Sequence, residues 1–303
     1  MVDISVIILT YNEEQHIERC ILSLKPFVKD IFIVDSFSND NTVEKAKSLG
    51  AKVFQNKWIN YATQFQWGLD NCPIETQWVM RMDSDEYVLP ELSEEIVTTF
   101  NSSIEEETSG FYIKRRVHFK DKWIKYGGYY PTWLLRIWRY DHGRIEERWM
   151  DEHIKLSTGK TKELEHDLVD DNLNDLTWWT TKHNNYATRE AVDILNTIYG
   201  FKLYDEVVPD FFGSQEQKRR KLKHVYVGLP LFIRPFIYFL YRYFIKLGFL
   251  DGKQGLIWHF LQGFWYRFLV DAKIYEIYSE AGKDRDSILI YLKNNMGIDF
   301  CEN

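Results

Sequence analysis

Cysteine is scarce: Cys20, Cys72 and Cys301 are the only three in 303 residues, an odd number spaced for neither a disulfide framework nor a metal site. That excludes a small disulfide-built scaffold and points to a reducing compartment. An excess of positive charge is also missing, and the net charge of -7 argues against a nucleic-acid partner for the whole chain. There is no internal repeat and no long low-complexity tract. No leader segment is expected either, because Met1 is followed at once by an apolar strand pattern, and a cytoplasmic location is expected from this. What is present is 45% apolar content, enough for a large core and a second, smaller module.

Ile4 to Leu9 is a β-branched apolar run, broken by Thr10-Tyr11-Asn12-Glu13 and followed by a helical pattern, which reads as a buried parallel strand, a loop and a helix. Asp30 to Asp35 repeats it and ends in the polar turn Ser36 to Thr42, where an Asp or Asn can cap a helix over 43–49. A third strand is expected at 51–54, a helix at 60–71 and a fourth strand at 76–82. Such alternation implies a parallel α/β sheet with right-handed crossovers, whose ligands lie beyond the carboxyl ends of the strands. Three polar clusters, Thr10 to Glu13, Asp35 to Asp40 and Asp83 to Glu86, fall at those ends. Asp83-Ser84-Asp85 supplies hard oxygen ligands of the kind Mg²⁺ or Mn²⁺ takes from protein when the rest of its shell is water and phosphate.

Four segments together resemble family 2 glycosyltransferases of GT-A fold, especially the lipopolysaccharide core glucosyltransferase branch. They are Leu9 to Glu14, Val34 to Thr42, Asp83 to Glu86 and Trp149-Met150-Asp151-Glu152-His153. The resemblance covers about the first two thirds of the chain. It implies an inverting transferase that uses a nucleotide-activated sugar, most simply a UDP-sugar, with Mn²⁺ or Mg²⁺. Carried over by position, Thr10, Tyr11, Asn12, Glu13 and Asp35 would hold base and ribose, with Ser38 near the nucleotide. Asp83 would contact ribose or metal, and Asp85 would be the main metal ligand. Gln64, on the helix before the metal strand, matches a position facing the donor, and Arg136 matches one that holds phosphate or acceptor. Glu152 is the favoured base and Asp151 the second choice, since the segment departs from both the Glu-Asp and His-Glu forms of the motif. A nucleotidyltransferase of related fold would normally carry a Gly-rich basic loop where Thr10 to Glu13 stands. A non-catalytic scaffold with a degenerate nucleotide site is the other alternative.

The resemblance and the composition divide the chain into a catalytic domain over 1–208 and an amphipathic helical region over 209–303, with 208–213 as the hinge. Residues 217–250 hold eight basic side chains, Lys218, Arg219, Arg220, Lys221, Lys223, Arg234, Arg242 and Lys246, and no acid. Arg234, Tyr238, Arg242 and Lys246 recur every four residues, which on a helix makes a cationic stripe beside an aromatic face. A second aromatic run spans 255–268. Both are shorter than the roughly 18 uncharged residues of a spanning helix. The expectation is therefore a peripheral protein at the inner face of the plasma membrane, meeting anionic lipid through residues 217–270 and glycosylating a glycan or glycolipid, with homo-oligomerisation open.

Overall fold

The computed structural model describes residues 1–146, 153–201 and 215–300, with backbone alone over 215–220. It divides into two compact units, Met1–Asn174 and Asp175–Asn303, upstream of the expected 208–209 boundary. The reason is the helix α5 (Leu176–Tyr199), which buries Ala187, Ala191, Ile194 and Leu195 in one core with Val270 and Ile274 of the later helix.

In the first unit, β1 (Ile4–Thr10), β2 (Asp30–Asp35), β3 (Lys52–Gln55) and β4 (Trp78–Asp83) form a parallel block in the order β3-β2-β1-β4. The block is parallel because the runs of β1 and β2 are buried on both faces. Register pairs Thr10 with Asp35 and Leu9 with Asp83, so the polar strand ends lie level along one edge. α1 (Ile17–Leu24), α2 (Thr42–Ser48) and α4 (Pro90–Asn101) cover one face. α3 (Tyr61–Asn71) covers the other, together with a small ladder of β9 (Gly143–Ile145) and β10 (Ile154–Leu156). Asn60 caps α3 by accepting from the Thr63 N–H at 2.8 Å. Gly68 lets α3 close on the sheet, since a Cβ there would stand 2.9 Å from Val34 Cγ2.

Beyond β4 the sheet becomes mixed. β8 (Thr132–Arg139) is antiparallel to β4, and β6 (Thr108–Phe119) is antiparallel to β8, with β7 (Lys122–Trp123) as a short hairpin arm. β11 (Lys160–Asp171) runs parallel to β6, and β5 (Glu86–Val88) pairs antiparallel with its end. The sheet is α/β as expected but less parallel than the sequence suggests. β11 escapes sequence reading because most of its first half faces solvent and carries charge in place of alternation.

The second unit packs α5 with α6 (Gln215–Val227), α7 (Ile233–Leu240), α8 (Gly252–Trp258), α9 (Tyr266–Ala281) and α10 (Arg285–Met296). Its polar hub is Glu190, which accepts from Tyr266 Oη at 2.6 Å and Arg267 Nη1 at 2.5 Å. Burial opposes ionisation of Glu190, but the charges of Arg267 and Lys223 outweigh it and bring the carboxyl down to about 2. A folded value below the unfolded one means stability that is present above the unfolded pKa and lost as pH falls through the folded value. We expect Glu190→Gln to be less stable than the parent by on the order of 3 kcal/mol at neutral pH, with the gap closing between pH 4.5 and about 2 in urea melts.

The expected cationic stripe does not form. Arg234 is 1% exposed and donates to Asp271 Oδ1 from Nε at 2.8 Å and from Nη2 at 2.5 Å. Arg242 donates to Tyr238 Oη, and Lys223 is paired with Asp193 at 3.0 Å. The helix is rotated so that its apolar positions face outward, because the buried carboxylate of Asp271 offers Arg234 an internal partner. Among the described residues no helix is long and apolar enough to cross a membrane.

Candidate active site

Two loops and a turn build the site at the level edge of β1, β2 and β4. The first is a knot around Asp35, which is 0% exposed. Its Oδ1 accepts from Thr10 Oγ1 at 2.9 Å and Ser38 Oγ at 2.5 Å; its Oδ2 accepts from the Ser38 N–H at 2.9 Å and Gln55 Nε2 at 3.1 Å. The Asn12 N–H donates to Ser38 Oγ at 2.9 Å, and Asn12 Oδ1 accepts from the Asn39 N–H at 2.9 Å. Asn12 and Phe37 take left-handed backbone conformations, at φ 56° and 60°. That bends the chain so that Tyr11 and Phe37 stand outward, 58% and 57% exposed. Asp40, just ahead of α2, accepts from both the Thr42 N–H and Oγ1; burial opposes its charge, but these bonds prevail and lower its carboxyl.

Several residues expected to touch the donor are occupied with one another. Gln64 is 0% exposed, donates to Ser36 Oγ and the Asn56 carbonyl, each at 3.1 Å, and accepts from Asn56 Nδ2 at 2.9 Å. It braces the end of β2 from below. Glu13 accepts from His16 Nδ1 at 2.7 Å, while His16 Nε2 accepts from the Leu173 N–H at 2.9 Å, linking the first loop to the end of β11.

The acidic turn joins β4 to β5. Asp83 Oδ1 accepts from Tyr61 Oη at 2.6 Å, Oδ2 lies 3.4 Å from Arg136 Nη2, and its N–H donates to Glu86 Oε2 at 2.9 Å. Burial works against the charge on Asp83, but Arg136, Arg81 and the Tyr61 hydroxyl together hold it well below the usual carboxylate range. Glu86 is 1% exposed and ion-paired with Arg136; burial, with the Asp83 and Asp170 charges, raises it to about 8 against the pull of Arg136. Arg136 is itself 3% exposed, so it clamps the turn from behind, where phosphate or acceptor contact was expected. Asp85 accepts at Oδ2 from Asn172 Nδ2 at 2.9 Å, and its Oδ1 accepts no hydrogen bond from the described residues. Arg19 stitches the same region, donating to Asp171 Oδ2 at 2.7 Å and to the Asp85 carbonyl at 3.3 Å.

Among the described residues no three His, Cys, Asp or Glu gather as a metal cage. Asp83 and Asp85 instead offer two carboxylates, one with an unshared oxygen. That donor set fits a divalent cation that takes one or two protein carboxylates and completes its shell from phosphate and water. The expected bases Asp151 and Glu152 lie outside the described residues. The residues flanking that segment are held together, with the Glu146 N–H donating to the His153 carbonyl at 2.9 Å at the end of the β9–β10 ladder.

Tyr61, Glu86, Arg19 and Asn172 were not singled out from sequence. Glu86 alone had a signal, since it adjoins the Asp-Ser-Asp turn. The others reach the site only through the sheet order, which brings Asn172 to a residue 87 positions away.

Residues 5–162 match the model of glycosyl transferase family 2. An uncharacterised glycosyltransferase of Rickettsia typhi is 27% identical over 289 residues, spanning 91% of this chain and 88% of that protein. Another, from Rickettsia prowazekii, is 34% identical over 120 residues, 40% of each chain. Among solved structures, glucosyl-3-phosphoglycerate synthase from Mycobacterium tuberculosis, determined with Mn²⁺, UDP and glucosyl-3-phosphoglycerate, is 23% identical with a TM-score of 0.32, covering 39% of this chain and 44% of that one. With the family model extending over more than half of the sequence, the chain belongs to glycosyltransferase family 2.

Proposed function

We propose that the chain transfers a sugar, with inversion, from a nucleoside diphosphate, most simply UDP, to a hydroxyl of a lipid-linked or lipopolysaccharide-type glycan at the cytoplasmic membrane face. The observation that carries this reading is the clamped acidic turn, which leaves one oxygen of Asp85 without a hydrogen bond from the described residues at the edge where the Asp35 knot also ends. Tyr11 and Phe37 give the base two exposed ring faces there, a recognition mode with aromatic area and little rotamer freedom to lose. Asp83 and Asp85 would hold Mn²⁺ or Mg²⁺, which supplies electrostatic stabilisation to the departing diphosphate. Arg136 and Tyr61 keep Asp83 ionised and oriented, so the charge of the turn is set before the donor arrives. Glu152, with Asp151 as second choice, would take the proton of the attacking hydroxyl.

The test is a screen of nucleotide sugars for thermal stabilisation and donor hydrolysis with and without Mn²⁺. We expect UDP to stabilise the protein only with the metal present; stabilisation by UDP that ignores the metal sinks the reading. Glu152→Gln should lower turnover by about 10²-fold or more while leaving UDP stabilisation intact. If Asp151→Asn does so instead, the base assignment passes to Asp151.

A further inference from the structure

From Ile233 to Leu250 the second unit presents an outward stripe of large apolar side chains at three- and four-residue intervals. Phe236, Leu240, Phe244, Ile245, Phe249 and Leu250 are between 43% and 71% exposed. The stripe continues on the neighbouring helix through Leu256 and Ile257, 46% and 44% exposed. It sits on a built scaffold. Behind it, Phe236 and Phe264 pack with ring centroids 4.5 Å apart, Phe239 stacks on Tyr243 at 5.4 Å, and Phe232 donates its N–H to the buried Asp271 at 2.7 Å. Gly248 lets the turn after the stripe approach His259, whose Nε2 would lie 2.5 Å from a Cβ there. Folding has thus fixed a large apolar surface toward solvent, far beyond the scattered hydrophobics of an ordinary surface.

We propose that this stripe is a bilayer-insertion face, which enters the headgroup and upper acyl region while cations at its margin meet anionic lipid. The inference deepens the membrane location just proposed, and rests on it for the purpose of the contact. Charge complementarity selects lipid as the occupant. Between residues 228 and 270 the sole acid is Asp251, which is 2% exposed, whereas Lys246 and Lys253 are exposed. In a two-fold association the face would meet itself, placing these cations against their own copies with no exposed acid in the face to answer them. A headgroup layer supplies both the apolar depth and the counter-charge. Because the apolar side chains are presented and Arg234 is buried, insertion leads and charge adjusts. Binding to neutral vesicles should therefore persist.

The experiment is flotation of the full chain with vesicles of phosphatidylcholine alone and of phosphatidylcholine mixed with phosphatidylglycerol, beside analytical ultracentrifugation without lipid. The parent should float with both, more strongly with the mixture. Leu240→Ser, Phe244→Ser and Ile245→Ser combined should lose about tenfold or more of its partitioning on both vesicles. Lys246→Gln with Lys253→Gln should lose about fivefold per position on the mixture and stay unchanged on phosphatidylcholine. UDP stabilisation measured without vesicles should be the same in parent and variants, which separates failure of the insertion face from failure of the donor reading and reports that the variants are folded. No flotation of the parent, or parental flotation of the triple serine variant, overturns the proposal. So does a lipid-free dimer that the triple variant converts to monomer while the parent ignores both vesicles.

Discussion

Asp85→Ala should reduce kcat/KM by on the order of 10³-fold with little change in melting temperature, because the substitution removes a single side-chain hydrogen bond among the described residues, the one Asp85 accepts from Asn172. The expected size follows from its position. A carboxylate whose second oxygen is unshared adds little to the fold and is free to act on the charge that develops when a diphosphate leaves. Asp83→Asn is a more compound change. It removes charge from a group bonded to Tyr61 and Arg136, so both rate and stability should fall. Steady-state kinetics with saturating Mn²⁺, paired with melts, separates the two. An Asp85→Ala enzyme that keeps a tenth or more of parental kcat/KM would remove the diphosphate-facing role assigned to this carboxylate.

The second large effect is on stability. Arg136→Met should cost about 3–5 kcal/mol, since it leaves the buried carboxyl groups of Asp83 and Glu86 without the guanidinium they share. Adding Glu86→Gln to Arg136→Met should recover much of that loss, as an amide needs no counter-ion and still accepts from the Asp83 N–H. Turnover should not recover in the double variant, because the guanidinium that holds Asp83 ionised is absent. Equal stability of Arg136→Met and the parent in urea unfolding would contradict the clamp.

The polar edge at the strand ends was legible in sequence because its signals are local. A β-branched run buried on both faces ends in polar residues, and parallel pairing sets those ends level. The helix over 60–71 and the strand before Asp83 followed from the same periodicity. The supports were not legible. Arg136 stood out by its position in the resemblance, but its partners Asp83 and Glu86 stand 53 and 50 residues earlier and meet it through an antiparallel neighbour that no local pattern encodes. Gln64 and Glu13 matched donor-facing positions, yet their side chains are spent on Asn56, Ser36 and His16. In the second unit a four-residue period correctly gave a helix and then misassigned its faces. Counting arginines as solvated is a sound default, but the buried Asp271, 37 residues on, draws Arg234 inward and turns the rings out.

The four hydrogen bonds that Asp35 accepts from Thr10, Ser38 and Gln55 all come from the chain itself, so on the function proposed the shelf would not need to freeze when a nucleotide lands. Loop ordering that other binders complete during association would here be complete once the polypeptide folds, leaving more of the ring and phosphate contact energy of the proposed donor to appear as affinity.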